Sequence, residues 1–484
     1  MRFAAWATAL LPAAPPHSAA TAHPNAPLLA STARRTGPGP TAPRRTGGPD
    51  AAGGGGRMTA ALSAAVLLVA SGCSDVTAPA AERPHDTPRI TMSPAPDATA
   101  ARPDKGLVVT AQGGTLTALT AYAGGVAVPG RFNATRTVWR SDWALAPDTE
   151  YVVTAAAGGL GGSTRLMGRF RTLRPRRSLD ILAVTPNDHE TVGVGMPIIV
   201  TFDQPVQDRK AVERALEVRA TPLATPAAYG EHGATAYSKA YSGPVDGAWH
   251  WFDGTQVVFR TRKLWPARQS VVLTAHLAGV RSAPGTYGTA DRTVSFAVGR
   301  RMVSTVDTRT HRMVVRRDGE VAQRMAISAG MATTREYTTT SGVHLTMEKG
   351  NPVRMISPGR SKGDPGYYDV MIGHAVRISN SGEYVHAKNN VWAQGRANVS
   401  HGCVNARPDQ AAWFYDNALR GDPVVVTGTD RELEWNNGWG FWQLSWYEWI
   451  KGSALRAPGP TRAFILPAPP ANLEISRDAH TELT

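Results

Sequence analysis

Between Arg89 and Gly299 the chain alternates apolar and polar residues in short runs broken by Gly, Pro and Asp. Leu107-Val108-Val109-Thr110, Val126-Ala127-Val128 and Tyr151-Val152-Val153-Thr154 belong to a first stretch, 89–175. A second, 178–299, repeats the pattern in Ile198-Ile199-Val200-Thr201-Phe202, Val257-Val258-Phe259 and Val271-Val272-Leu273-Thr274. Successive side chains of an extended strand point to opposite faces, so a period of two marks strands with one buried face. Runs this short, separated by turn residues, predict small antiparallel sandwiches.

The two stretches echo each other. Pro147-Asp148-Thr149-Glu150 leads into Tyr151–Thr154, as Pro266-Ala267-Arg268-Gln269-Ser270 leads into Val271–Thr274. A further strand follows each, through Phe170 and Phe296. The repeat predicts tandem immunoglobulin-like domains at 89–175 and 178–299, an architectural likeness only, because neither contains a cysteine. A wall-binding module and a rigid stalk fit this pattern equally well, since fold does not fix function.

From 300 to 430 the pattern is again strand-rich at first, with Met302–Val306 and Arg312–Val315 flanking a sharp turn candidate at Arg317-Asp318-Gly319-Glu320. A helix is predicted from Pro408, with Ala411, Phe414, Tyr415, Ala418 and Leu419 on one face and Gly421-Asp422-Pro423 as the stop. Trp435, Trp439, Trp442, Trp446 and Trp449 then crowd a segment at 431–456, and three of them fall at helical spacing. Such a stripe can stack on sugar rings or pack onto a neighbouring domain. Packing against the second sandwich is the favoured expectation, because exposed aromatic patches of this size are rare. Residues 457–484 read as a disordered tail.

Composition changes the picture mainly at the N-terminus. Residues 1–57 are rich in Pro, Ala, Gly, Thr and Arg and read as disordered low complexity, a mis-assigned translation start preceding Met58. At 58–73, an apolar run from Ala60 to Ala70 ends in Ser71-Gly72-Cys73. It is too short to span a bilayer and suits a secretory signal. This segment resembles a bacterial lipoprotein signal, which implies lipidation of Cys73, a tether at 74–88 and an extracytoplasmic, membrane-anchored protein facing the cell wall. An ordinary signal peptide with Cys73 unmodified is the alternative. The net charge of +14 favours anionic partners. The cations are dispersed and form no nucleic-acid motif, so no nucleic-acid partner is expected. Two cysteines exclude a disulfide scaffold.

The chemistry centres on the second cysteine, in Ser400-His401-Gly402-Cys403-Val404-Asn405, with His386 upstream. A cysteine attacks as thiolate, and an imidazole within reach can take its proton. His401 is two residues away and on the same face if the segment is extended, whereas His386 needs a hairpin to bring it across. Gly402 permits positive φ and close backbone approach, which can aim main-chain N–H groups at an oxyanion. The dipole of the following helix adds little at five residues' distance. A zinc site would need more close Cys/His ligands than the segment supplies. An inert thiol usually sits in an apolar run rather than beside Ser-His-Gly.

His386, Ser400–Asn405, the preceding Gly382-Glu383-Tyr384-Val385 and the following Trp413-Phe414-Tyr415-Asp416 resemble the signature of the L,D-transpeptidase (YkuD-type) catalytic domain. A papain- or NlpC-like hydrolase places its cysteine before its histidine, the reverse order. The repeats and Trp-rich segment resemble the family's two-Ig-domain actinobacterial lipoproteins. The fold implied is mainly β: two immunoglobulin-like sandwiches, then a β-rich catalytic domain with one or two short helices and the Trp-rich tail. The resemblance implies a Cys403 nucleophile, His386 as general base and later acid, and an oxyanion hole from the Gly402 and Cys403 amides. It places Tyr368, or its neighbour Tyr367, as a hydroxyl donor near that hole. His401, Ser400 and Asn405 would shape the pocket and contact substrate. Ala387 stands where the family commonly has Ser, a harmless change if only its carbonyl orients the histidine.

The implied reaction is formation of 3→3 peptidoglycan crosslinks through a Cys403 thioester, with release of D-alanine from a donor tetrapeptide stem. It needs no cofactor or metal, its partners are the donor and acceptor stems, the protein is expected to be a monomer, and carbapenems should acylate Cys403. An L,D-carboxypeptidase using the same site and a non-catalytic wall-binding spacer are the alternatives.

Overall fold

The computed structural model describes residues 86–223, 245–357 and 359–456, with the backbone of Gly459–Pro460 and Arg462–Ala463. The low-complexity stretch 1–57, the signal segment with Cys73, the tether up to residue 85 and the rest of the tail lie outside the described residues. The chain is mostly β, and its strands collect around three main cores, with a smaller fourth cluster around Trp449.

In the first module, one sheet pairs Arg89–Ser93, Val108–Gln112, Val138–Ser141 and Gly130–Phe132 in that order. The facing sheet runs Val126–Ala127, Thr115–Ala123, Glu150–Gly159 and Gly162–Arg171. The alternation expected at Tyr151–Thr154 appears as buried Tyr151 and Val153 between exposed neighbours. These join Leu107, Val109, Leu116, Trp139 and Phe170 in one core. The second module repeats the plan, with Ile198–Phe202 beside Gln256–Thr261 in one sheet and Gln269–Ala275 between Leu216–Pro222 and Arg292–Val298 in the other. Its core is built on Phe202, Trp251, Phe259, Trp265 and Phe296.

The third module is one long sheet. Its order is Gly342–Leu345, Pro423–Thr427, Met302–Asp307, Arg312–Arg317, Glu320–Ser328, Val404–Ala406, Tyr384–Ala387, Asp369–Arg377 and Lys349–Gly350, with Val353–Ile356 on the far part of Asp369–Arg377. The Asp318-Gly319 turn forms as predicted, with φ of 51° and 97° at its two central residues. Both angles match the twist of the flanking strands, and the glycine adopts its angle without steric penalty. The predicted helix spans Pro408–Asn417 and ends at Ala418, three residues before Gly421. Ala411 and Phe414 are its buried residues, and they pack with Val385, Val404 and Ala406.

The Trp-rich segment packs rather than standing free. Trp449 is fully buried on the second module's sheet with Ile199, Ala248, Val258 and Phe441, and its indole N–H donates to the Ala248 carbonyl at 2.9 Å. The Trp442 indole donates to the Gly195 carbonyl at 3.1 Å. The Arg260 guanidinium lies over the Trp442, Trp446 and Trp449 rings, and its burial pulls its pKa down to about 10. Glu213, buried on the helix Arg209–Arg214, accepts from the Trp251 indole, the Ser453 hydroxyl and the Ala454 N–H. On its other side the segment holds the third module's sheet, where Gln443 accepts from the Val343 N–H at 2.7 Å. The tail therefore clamps the third module to the second, and the sugar-stacking reading does not fit a Trp449 with no open face. Among the described residues, no helix is long and apolar enough to cross a membrane.

Trp449→Ala should cost about 3–5 kcal/mol, the usual penalty for emptying a large aromatic site. Denaturant unfolding followed by circular dichroism should show the loss, whereas a surface aromatic would shift the midpoint little.

Candidate functional site

The site rests on two short strands. Tyr384–Ala387 and Val404–Ala406 run parallel, with Val385 opposite Val404 and His386 opposite Asn405. Alternation then sorts the residues. Val385, Val404 and Ala406 face the core and are fully buried, while His386, Cys403 and Asn405 line a cavity of about 600 Å3 on the other face. Ser400, His401, Gly402 and Tyr368 line the same cavity. The candidate site residues of the sequence are thus gathered at one place, apart from Tyr367, which is off the cavity wall, and Cys73, which is outside the described residues.

The sulfur sits against the start of the histidine strand. The Tyr384 N–H donates to Cys403 Sγ, and Sγ lies 3.6 Å from the Gly382 carbonyl oxygen. Cys403 is half-buried, yet desolvation around the sulfur, followed by the nearby Glu383, pushes the thiol up to about 12, with the Tyr384 N–H opposing the shift. His386 is buried, and desolvation pulls its pKa down to about 4. Its Nδ1–H donates to the Ala387 carbonyl at 2.9 Å. That bond fixes the tautomer and leaves Nε2 as an acceptor, and it is made by a main-chain oxygen, so Ala at 387 serves. Burial thus disfavours the charged form of both groups that line this cavity.

The turn carrying the cysteine is not the extended segment that sequence alternation supposes. Residues 401–403 bend, and Gly402 has φ of 127°, a conformation that disfavours any side chain. His401 is exposed on the cavity wall, with its ring edge-on to Tyr337 at 4.4 Å and tilted against Tyr368 at 5.3 Å. Ser400 braces the turn from inside. Its hydroxyl donates to the Cys403 carbonyl at 2.5 Å and accepts from the Gly402 N–H at 3.1 Å. The Gly402 amide, expected as an oxyanion donor, is therefore already engaged. Between the two tyrosines, Tyr368 is the one on the cavity wall, and desolvation together with the nearby cysteine raises its pKa.

Several residues that hold this site escaped the sequence reading. The Thr339 hydroxyl donates to the Gly402 carbonyl at 2.8 Å. Thr340 offers its N–H and hydroxyl to Glu383, a buried carboxylate whose chain passes beneath Gly402. The run Thr338-Thr339-Thr340 was the available signal, three consecutive hydroxyl residues in a strand-rich region, but nothing local ties it to residue 402. Among the described residues, no group of three or more His, Cys, Asp or Glu is placed to hold a metal ion.

Comparison with known proteins agrees in two places. A family model described as a bacterial Ig domain matches residues 98–229 and 238–281, and one described as an L,D-transpeptidase catalytic domain matches residues 301–426. L,D-transpeptidase 5 of Mycobacterium tuberculosis is 34% identical over 403 residues, covering 81% of this chain and 82% of its own. L,D-transpeptidase 2 of the same organism is 32% identical over 76% of this chain and 85% of its own. A solved L,D-transpeptidase from Mycobacterium smegmatis is 30% identical, with 52% of this chain and 99% of that one covered and a TM-score of 0.39.

The buried His386 couples stability to pH. Below the ordinary histidine pKa of about 6.5 the unfolded chain takes up a proton that the folded ring refuses until about pH 4, so folding weakens as pH falls through that window. The cost reaches up to about 3 kcal/mol once both values are passed. His386→Gln should lose this part of the pH dependence, measured as the difference in unfolding free energy between pH 7 and pH 4.5 for the two proteins.

Proposed function

We propose, from the premise that this chain belongs to the L,D-transpeptidase family, that it crosslinks peptidoglycan stem peptides through a thioester on Cys403. The observation that carries the reading is the pairing of the two strands, which turns a cysteine and a tautomer-fixed histidine toward one cavity. The Cys403 sulfur attacks the carbonyl carbon of the donor's third stem residue while Nε2 of His386 takes the thiol proton. The tetrahedral oxyanion is met by the Cys403 amide and the Tyr368 hydroxyl. As it collapses, the carbon–nitrogen bond breaks, His386 returns the proton to the departing amine, and D-alanine leaves behind a thioester.

The second half runs the same machinery in reverse. The side-chain amine of a neighbouring stem attacks the thioester carbonyl, its proton passes through His386 to the leaving sulfur, and a 3→3 amide and free thiol result. The neutral resting pair fits this scheme. A thiol held uncharged is protected from adventitious alkylation and oxidation, and charge develops only where the donors are in place. A thioester stores the acyl group without any cofactor. Carbapenems, which present a strained carbonyl, would acylate the same sulfur. The protein would work outside the cytoplasm, anchored through Cys73, with its sandwiches as wall-binding or spacing modules.

Mass spectrometry of muropeptides after incubation with tetrapeptide substrate tests this. Crosslinked dimers are expected, abolished by Cys403→Ala, and His386→Gln should slow their formation about 10²–10⁴-fold. Tripeptides with free D-alanine but no dimers would make the protein a carboxypeptidase. An unchanged substrate, or dimers persisting in Cys403→Ala, would remove the proposal.

A further inference from the structure

One side chain on the cavity wall has no part in the scheme above. Lys388 follows the histidine strand by one residue, and its N–H donates to the Ala406 carbonyl at 3.0 Å, so the strand pairing still holds its backbone. The Gln394 side chain braces it further by donating to the Lys388 carbonyl at 2.8 Å. Alternation puts Lys388 on the same face as His386, and its exposed side chain lines the same cavity.

The cavity's other cations are occupied. Arg360 is paired with Glu336 at 2.6 Å and donates to the Pro365 carbonyl. Arg431 donates to the Glu336 and Thr338 carbonyls. Among the described residues no carboxylate pairs with Lys388. It is the wall's available positive charge, and it sits beyond the histidine, away from the sulfur.

That position has a chemical counterpart. When His386 protonates the departing amine, the leaving group's nitrogen lies at the imidazole and the rest of it extends past the ring. In an α-amino acid the carboxylate carbon is about 2.5 Å from the nitrogen. Two residues of strand advance the backbone by about 6.6 Å, within reach of a lysine folded back along the wall. We propose that Lys388 anchors the α-carboxylate of the D-amino acid on the leaving side of the scissile bond, making the enzyme selective for donors with a free terminal carboxylate. This rests on the reading of Cys403 and His386 as an acyl-transfer pair. By microscopic reversibility an incoming amine that carries its own α-carboxylate meets the same anchor.

The test compares two donors, a tetrapeptide ending in D-alanine and the same peptide ending in D-alaninamide, by the rate of Cys403 acylation in intact-protein mass spectra. The amide is intrinsically the better leaving group, so the measured quantity is the acid-to-amide ratio of kcat/KM in each protein. Lys388→Gln should lower that ratio about five- to tenfold, the worth of one exposed charge-assisted hydrogen bond, with the loss carried by KM for the acid donor. Lys388→Arg should restore most of it. A ratio that is the same in Lys388→Gln as in the unaltered protein overturns the anchor. Failure of both donors to acylate Cys403 in the unaltered protein overturns the acyl-transfer reading, and the anchor with it.

Discussion

A two-strand parallel pairing organises the candidate site. With Val385 opposite Val404, the valines enter the core beside Phe414, and the alternate residues have no choice but to face the cavity. A one-residue slip of the strand Tyr384–Ala387 would send His386 into the core and bring Val385 to water. The apolar side of the pair therefore specifies the polar side. The geometry of the candidate site is inherited from a packing requirement, and the helix Pro408–Asn417 covers the valines on the core side.

The turn that presents the sulfur is held by a second, polar layer. Ser400 closes the turn on itself, Thr339 holds the Gly402 carbonyl, and Glu383 receives both donors of Thr340. Buried polar groups are costly unless partnered, and these are partnered by one another. The layer buys rigidity around a residue whose backbone no side chain would tolerate. It also carries an electrostatic consequence, since the Glu383 carboxylate opposes ionisation of the neighbouring thiol. Burial and the neighbouring Glu383 thus both disfavour the thiolate form of Cys403.

Local patterns were legible in the sequence, and long-range ones were not. The Asp318-Gly319 hairpin and the Pro408 helix depend on neighbouring residues and formed where the patterns placed them. The echo between Tyr151–Thr154 and Val271–Thr274 marked two related sandwiches because each strand's alternation is set by its own core. His401 was different. The same-face placement held only for an extended segment, whereas Gly402 takes the positive φ it allows and the ring packs against Tyr337 and Tyr368. The choice between Tyr367 and Tyr368 required the cavity itself, and the bond from Thr339 to Gly402 joins residues 63 apart in the chain. The packing of the tryptophans was favoured on general grounds, but their partner Arg260 carries no mark in the sequence of being buried.

The claim on which the rest depends is that the free enzyme holds a neutral thiol and a neutral imidazole rather than an ion pair. Ultraviolet difference absorbance of the thiolate, taken between the unaltered protein and Cys403→Ser so that Cys73 cancels, reads this directly. The account predicts no thiolate signal at pH 7 and none until well above the usual thiol range, because the thiol is pushed up to about 12 and His386 down to about 4. A full thiolate signal at pH 7 that disappears in His386→Gln would contradict it and establish a preformed thiolate–imidazolium pair.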